Sequence, residues 1–506
     1  MNLSKSAIND SATRPPPAKF SGPRGDPVPE PMSSVDRTWL EMDDPHNPMV
    51  VSAILEFERV ADVNALARGL VERLSRQLRF RQRVVEAENG RAWVEDDALH
   101  LGYHVRLCPL KAPGSDVELR AAIAAELEHT LDRALPLWRI SLFPRGKRRV
   151  TALFRAHHAI ADGVALMQLL LQLTDGAHPG HEPLPPAAAP HHGPLAGFIQ
   201  RLETVNSALE NLTGIVVDDL RHPDRLARQV DDVRRSLAAI GRVVTLPNDN
   251  PARFRVPPGG RRAVAWTGNL SFAAVQKFAR AQNVTINDVF LTALTGAFGR
   301  YLRAADGSVP EKQNLRVSVP VNLRANGDGT LGNCFGLLLL DLPVGLEGWQ
   351  ARLEVVADRM ASLKKSSEAR AVLVALAAVG HLPVAAEKQL INLIGGKAAA
   401  VVSNLPGPRQ TLTLGGARLA NVVFWPPQAA RVGIGVSLLS YAGRVTVGVS
   451  ADTAQIAQPQ QLIDAFCAEL QSMLGRSPVI RTAGARRRSV PSPAARPSTG
   501  VHHVET

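Results

Sequence analysis

The sequence predicts an α/β protein built as two halves joined by a long linker, and three observations carry that expectation. A chain of 506 residues, 45% of them hydrophobic, is long enough for about three folding units and apolar enough to fill their cores. Strand-like and helix-like segments alternate along most of it, the pattern of a layered α/β architecture. A Pro/His/Ala-rich stretch, Gly176 to Pro194, breaks the alternation and reads as a linker or surface excursion.

Taken in order, residues 1–31 are polar and Pro-rich with few large apolar side chains, too few to offset chain entropy, and read as a disordered tail. The first half spans 32–175. Val50 to Phe57 is a strand, and Val63 to Leu78 puts Leu66, Leu70, Leu74 and Leu78 on one helical face. Glu118 to Leu131 is a second helix, Arg149 to Ala156 a second strand, and Val164 to Leu173 an apolar helix. The linker and a charged helical connection around Leu202 to Ile240 occupy 176–260. Alternation resumes near Ala263 in the second half, 261–475, with a helix at Thr285 to Leu302 and strands at Leu315 to Val321, Leu337 to Leu342, Val432 to Leu438 and Arg444 to Ser450. Residues 476–506 form a basic, disordered tail, and no short-period repeat is present.

Composition narrows the function classes. The formal charge is +12, but 476–506 hold six arginines against one glutamate, so the folded part keeps only a modest basic bias. That bias suits phosphate-bearing ligands or acidic lipid surfaces and does not single out nucleic acid. Cys108, Cys334 and Cys467 lie far apart with no CxxC pair, which argues against a zinc knuckle or disulfide framework and fits a reducing compartment. The N-terminus has no apolar signal region. The longest apolar stretch, Ala371 to Ala386, contains His381 and Pro383 and is too short to span a bilayer, so any lipid contact is expected to be peripheral.

The sharpest feature is HHAIADG, His157 to Gly163, between the strand RVTALFRA and the helix VALMQLLLQL. A loop so placed exposes a catalytic side chain while both neighbours hold it still. Adjacent residues at a strand end point to opposite sides, so one histidine can face a cleft while the other packs inward. Asp162 puts an ionised group close to both and can fix the loop or orient an imidazole. A pair of structural histidines, or a metal site, is the alternative; the pair lacks the His-x-x-x-His spacing of a helical metal site.

HHAIADG resembles the HHxxxDG signature of CoA-dependent acyltransferases and peptide-synthetase condensation domains. Further segments resemble the bacterial wax ester synthase/diacylglycerol acyltransferase family: MSSVDRTWLEMDDPHNPMVVSAILEF from Met32, PLWR at Pro136 to Arg139, TINDVFLTAL from Thr285, VPVNLR at Val319 to Arg324, GNCFG at Gly332 to Gly336, SNLPGP at Ser403 to Pro408, and SYAGRVTVGVSADT from Ser440. The likeness runs from about Met32 to about Leu474. It implies two chloramphenicol-acetyltransferase-like subdomains with the active site between them, His158 as general base, His157 beside it, and Asp162 and Gly163 as loop-forming members of the signature. It also implies a cytoplasmic enzyme, peripherally attached to the inner membrane or lipid inclusions. Such an enzyme passes a long-chain acyl group from acyl-CoA to diacylglycerol or a fatty alcohol, giving triacylglycerol or wax ester, with no cofactor and no metal. A condensation-type acyltransferase with a carrier-protein donor, or a weakly catalytic protein that coats lipid inclusions, are the competing expectations.

The remaining residues divide between chemistry and structure. Asn287 matches the family's ND motif and is a candidate substrate or supporting contact; Asp288 fits that motif and equally a capping box with Thr285. PLWR reads as packing. Asn322 and Arg324 follow a strand end in the second half, from which Arg324 could cross to pair with Asp162; a solvated arginine is the alternative. SNLPGP and GNCFG lack phosphate-loop spacing and read as turns near a cleft. The ARRR run at Ala485 to Arg488 is a solvated tail or a weak contact with anionic lipid, and the linker histidines are surface residues.

Overall fold

The computed structural model describes residues 29–87, 90–96, 100–175, 245–248, 250–322, 335–365 and 395–475. The first half contains β1 (Glu30–Pro31), α1 (Ser34–Glu41), β2 (Val50–Glu58), α2 (Val63–Leu74), β3 (Gln82–Ala87), β4 (Gly90–Glu95), α3 (Leu101–His104), β5 (Val105–Leu107), α4 (Asp116–Leu127), β6 (Trp138–Pro144), β7 (Arg149–His157) and α5 (Gly163–Gln172). The second contains β8 (Arg262–Trp266), β9 (Leu270–Ser271), α6 (Phe272–Ala281), α7 (Ile286–Asp306), β10 (Leu315–Asn322), β11 (Phe335–Leu342), α8 (Trp349–Lys365), β12 (Ala400–Pro406), β13 (Thr413–Leu414), β14 (Ala417–Trp425), β15 (Ile434–Tyr441), β16 (Arg444–Asp452) and α9 (Pro459–Leu474).

Two mixed sheets organise these elements. One is six-stranded in the order β13-β14-β2-β7-β6-β5; the other has the order β11-β10-β12-β15-β16-β8, with β9 also on β16. A small β1-β4-β3 sheet stands beside the first. Strand alternation gives the six-stranded sheet two different faces. Val51, Leu55, Ala152 and Ala156 pack on one side against Leu66, Leu70 and Leu74 of α2 and Leu166 and Leu169 of α5. Ile54 and Leu153 look the other way, toward Leu119 and Ile123 of α4 and Val264 and Trp266 of β8, so that this core is shared by both halves. In the second sheet the core forms around α7, a helix buried along most of its length and flanked by α9. The two helices approach so closely that a Cβ at Gly296 would meet Glu469 at 2.5 Å.

Four expectations change. Glu30 and Pro31, assigned to the N-terminal tail, pair with Trp93 and Ala92 of β4. The helix expected through Leu78 stops at Leu74, and Leu78–Phe80 form a 3-10 turn that buries Phe80. Ser403–Pro406, read as a turn, lie in β12, whose residues Val401–Pro406 pair in parallel with Gly435–Ser440 of β15. Finally, β13 and β14 leave the second half to join the first half's sheet, with Trp425 opposite Ser52. The expected segments at Leu202 to Ile240 and Ala371 to Ala386, and residues 476–506, lie outside the described residues.

Candidate functional site

His157 ends β7 and His158 begins the loop to α5, and both are buried, at 1% and 5% exposure. The expectation that one imidazole stands open in a cleft is therefore corrected: His158 stacks on Trp39 of α1, with ring centroids 4.5 Å apart and planes at 28°. An aromatic wall against one face of the ring fixes its plane.

A short segment after α1 positions both histidines. Asp43 accepts the Met49 N–H at 2.9 Å, and the Met49 carbonyl accepts the His158 N–H at 2.8 Å. His157 Nδ1 accepts the Ala159 N–H at 3.1 Å, so a neutral His157 ring carries its proton on Nε2. That nitrogen faces Asp43 Oδ2 at 3.7 Å, an electrostatic contact longer than a hydrogen bond. Burial works to raise the Asp43 pKa, but His157, the Met49 N–H and Arg133 together hold it below the ordinary value. Arg133 lies 3.5 Å from the same carboxylate oxygen. Asp43 is thus an ionised, 5% exposed anchor beneath the histidine pair.

Asp162 caps α5: its Oδ1 accepts the Ala165 N–H at 3.0 Å and its carbonyl accepts the Leu166 N–H at 2.9 Å. Gly163 is the first residue of α5 and meets the other half, where an added Cβ would sit 3.2 Å from Leu405 Cδ1 of β12. Its smallness serves that close approach, and not a flexible loop. Next to Leu405, Asn404 donates from Nδ2 to Asn287 Oδ1 at 3.2 Å. The ND segment, SNLP and HHAIADG, far apart in sequence, therefore meet through Asn404 and Leu405. Asp288 forms the capping box, its Oδ2 accepting the Thr285 N–H at 2.9 Å. Asn322 is the last residue of β10, and Arg324 lies outside the described residues, as does any Asp162–Arg324 pair. PLWR is packing: Trp138 is fully buried, with its Nε1 on the Phe80 carbonyl at 2.8 Å.

Behind Gly163 and Leu405, an apolar cavity opens between the six-stranded sheet and helices α2 and α5, bounded further by Ala53, Phe154, Met167 and Leu74. Ala53 stands in register between Phe154 and Phe424, so its missing bulk creates part of the space. Among the described residues no group of three or more His, Cys, Asp or Glu could hold a metal ion.

Sequence reasoning did not single out Trp39, Asp43, Asn404 or Leu405. Trp39 and Asp43 lie in the segment from Met32 and Asn404 and Leu405 in SNLPGP, but nothing local marks them as partners of a loop more than 100 residues away.

A family model described as the wax ester synthase/diacylglycerol acyltransferase catalytic domain matches residues 32–290, and one described as the WS/DGAT C-terminal domain matches 331–474. A Mycobacterium tuberculosis protein named probable diacylglycerol O-acyltransferase is 27% identical over 477 residues, covering 90% of this chain and 98% of that protein. Among solved structures, the wax ester synthase/diacylglycerol acyltransferase from Marinobacter aquaeolei VT8 superposes with a TM-score of 0.63 at 21% identity, covering 88% of this chain and 100% of that one. The first condensation domain of the calcium-dependent antibiotic synthetase gives 0.58 at 15% identity, covering 89% and 97%. Both structural likenesses speak to the fold.

Proposed function

Because the chain belongs to the wax ester synthase/diacylglycerol acyltransferase family, we propose that it transfers a long-chain acyl group from acyl-CoA to diacylglycerol or a long-chain alcohol, with His158 as general base. The observation that carries this reading is the placement of HHAIADG: a histidine clamped by Trp39 and Met49, on a loop that touches the opposite half through Gly163 and Leu405, next to an apolar cavity.

The reaction balances on the substrates alone. The imidazole takes the acceptor's hydroxyl proton as that oxygen bonds to the thioester carbon. The resulting oxyanion collapses, the carbon–sulfur bond breaks, and the CoA sulfur leaves with the proton returned by the imidazolium. A positioned base contributes about 10²- to 10⁴-fold. His157 and Asp43 act through His158 by holding its strand end, Asp162 by capping α5, and we assign to the Asn287–Asn404 amide pair the orienting of an acyl carbonyl or hydroxyl. The apolar cavity suits the acyl chain. The acceptors, diacylglycerol and fatty alcohols, reside in lipid, so we place the work at a cytoplasmic membrane surface or lipid inclusion reached peripherally; no described helix is long and apolar enough to cross a membrane.

The test is purified protein with palmitoyl-CoA, offered hexadecanol and diacylglycerol in parallel. CoA release matched by ester formation is expected, with His158→Ala lowering turnover about 10²- to 10⁴-fold. Because His158 stacks on Trp39, the variant's Tm is measured alongside. Near-normal turnover in a folded His158→Ala protein would remove the base from this residue, and transfer only from an acylated carrier protein would favour the condensation-type reading.

A further inference from the structure

Two residues before His157 on the same strand face, Arg155 is 1% exposed. The strand register sets Ser52 beside it on β2, with Trp425 opposite Ser52 on β14; on the other side Arg155 pairs with Arg139 of β6. Arg155 Nη2 donates to the His129 carbonyl, whereas Nε and Nη1 have no hydrogen-bond partner among the described residues. The acids nearest in effect are engaged elsewhere. Glu126 accepts from Ser141 Oγ at 3.0 Å and faces Arg106 at 3.6 Å, and Asp43 serves Met49 and His157. Burial, only partly countered by Glu126, pushes the Arg155 pKa down to about 10.

A second buried guanidinium reaches the same place from the other half. Arg262 of β8, 6% exposed, gives its two terminal nitrogens to neutral oxygens: the Gln428 side chain, Asn47 Oδ1 at 2.5 Å and the His46 carbonyl at 3.3 Å. Arg155, Arg262, Ser52, Ser450, Gln428 and Trp425 line one small cavity at the junction of the halves. Asp452 and Glu128 act on Arg262 electrostatically but are engaged by the Gly260, Ala454 and Arg262 backbone N–H groups, and among the described residues neither guanidinium has a carboxylate within ion-pair distance.

Burying a cation with no carboxylate in contact is costly, and water repairs its hydrogen bonds but not its charge. A buried guanidinium with unused N–H groups on Nη1 offers an oxyanion charged hydrogen bonds, and hydroxyls complete the shell. We propose that this cavity binds a small anion, held by Arg155 from the first half and Arg262 from the second, which links the halves directly beneath the histidine pair. The site is separate from acyl transfer and does not depend on the function proposed above.

The test is thermal unfolding of the full chain at constant ionic strength, with gluconate, too large for the cavity, replaced stepwise by chloride, acetate or phosphate. A saturable rise in Tm is expected for the anions that fit, following mass action on the folded state, and their order separates an inorganic from a carboxylate ligand. Arg155→Lys, which keeps the charge but loses the planar set of donors, should weaken half-saturation about tenfold, the loss of one charged hydrogen bond, and Arg155→Met should abolish the response. If Arg155→Met does not fold, crystals of the unaltered protein soaked in bromide decide: an anomalous peak within hydrogen-bond distance of Arg155 is expected. Equal, non-saturating effects of all salts, or a cavity without bromide, would overturn the proposal.

Discussion

At the scale of single residues, the site rests on a carboxylate kept ionised, against its burial, by its partners. Asp43 stays ionised under His157, and its exchange for asparagine keeps the shape while removing the charge that orients the His157 Nε2 proton. Asp43→Asn is expected to lower kcat about 10²-fold, the penalty of a displaced catalytic group, with KM nearly unchanged because the residue acts through His157. Steady-state kinetics split the two, and a rise in KM alone would contradict the positioning role. His104, away from the site, shows the opposite balance, with burial winning. Fully buried and stacked on Trp138, it has its pKa pulled from 6.5 to about 4, first by burial. The unfolded chain therefore binds a proton between those values that the native state refuses, so stability present above pH 6.5 falls as pH drops toward 4, by up to about 1.4 kcal/mol per pH unit. His104→Phe should flatten that part of the Tm-against-pH curve relative to the unaltered protein. Of these residues only those in HHAIADG and the ND segment were legible beforehand, because Asp43 and Trp39 acquire their meaning from contacts with β7 that no local pattern encodes.

Among elements, β7 and α5 do most to shape the apolar cavity, and both were readable from apolar periodicity. The cavity they enclose was not, since it arises where small residues of one strand oppose large ones of its neighbours. Ala53 between Phe154 and Phe424 sets its width, and Met167 of α5 closes over it. If the acyl chain lies there, Ala53→Phe should move the preferred acyl-CoA toward shorter chains, and Met167→Ala should move it toward longer ones, while the preferred alcohol length stays put. A panel of acyl-CoA lengths against one alcohol, then alcohol lengths against one acyl-CoA, measures this. A shift in the alcohol preference instead would assign the cavity to the acceptor. The strand character of SNLP was hidden for a related reason: Asn404 and Pro406 disfavour a strand locally, and only parallel pairing with β15 enforces it.

For the whole molecule, the division into two α/β halves was visible in the sequence, whereas the passage of β13 and β14 into the first half's sheet was not, because alternation reports which face of a strand is buried and not which strand lies beside it. That exchange, with the shared core around Trp266 and Trp425, ties the two halves into one body. Its meeting with lipid then depends on what it presents outward. The chain carries a formal +12, and residues 476–506 hold six arginines and one glutamate. Near an anionic surface each such arginine contributes about 1 kcal/mol, falling off within a Debye length of about 8 Å at physiological salt. Removing Ser477 to Thr506 should therefore weaken binding to vesicles of anionic phospholipid containing diacylglycerol, reduce the salt dependence of what binding remains, and leave activity in detergent intact. Flotation across a salt series reads all three. Binding unchanged by the truncation would move the contact to the core, where Leu101 and Leu107, each 45% exposed beside the edge strand β5, offer the apolar side chains for it.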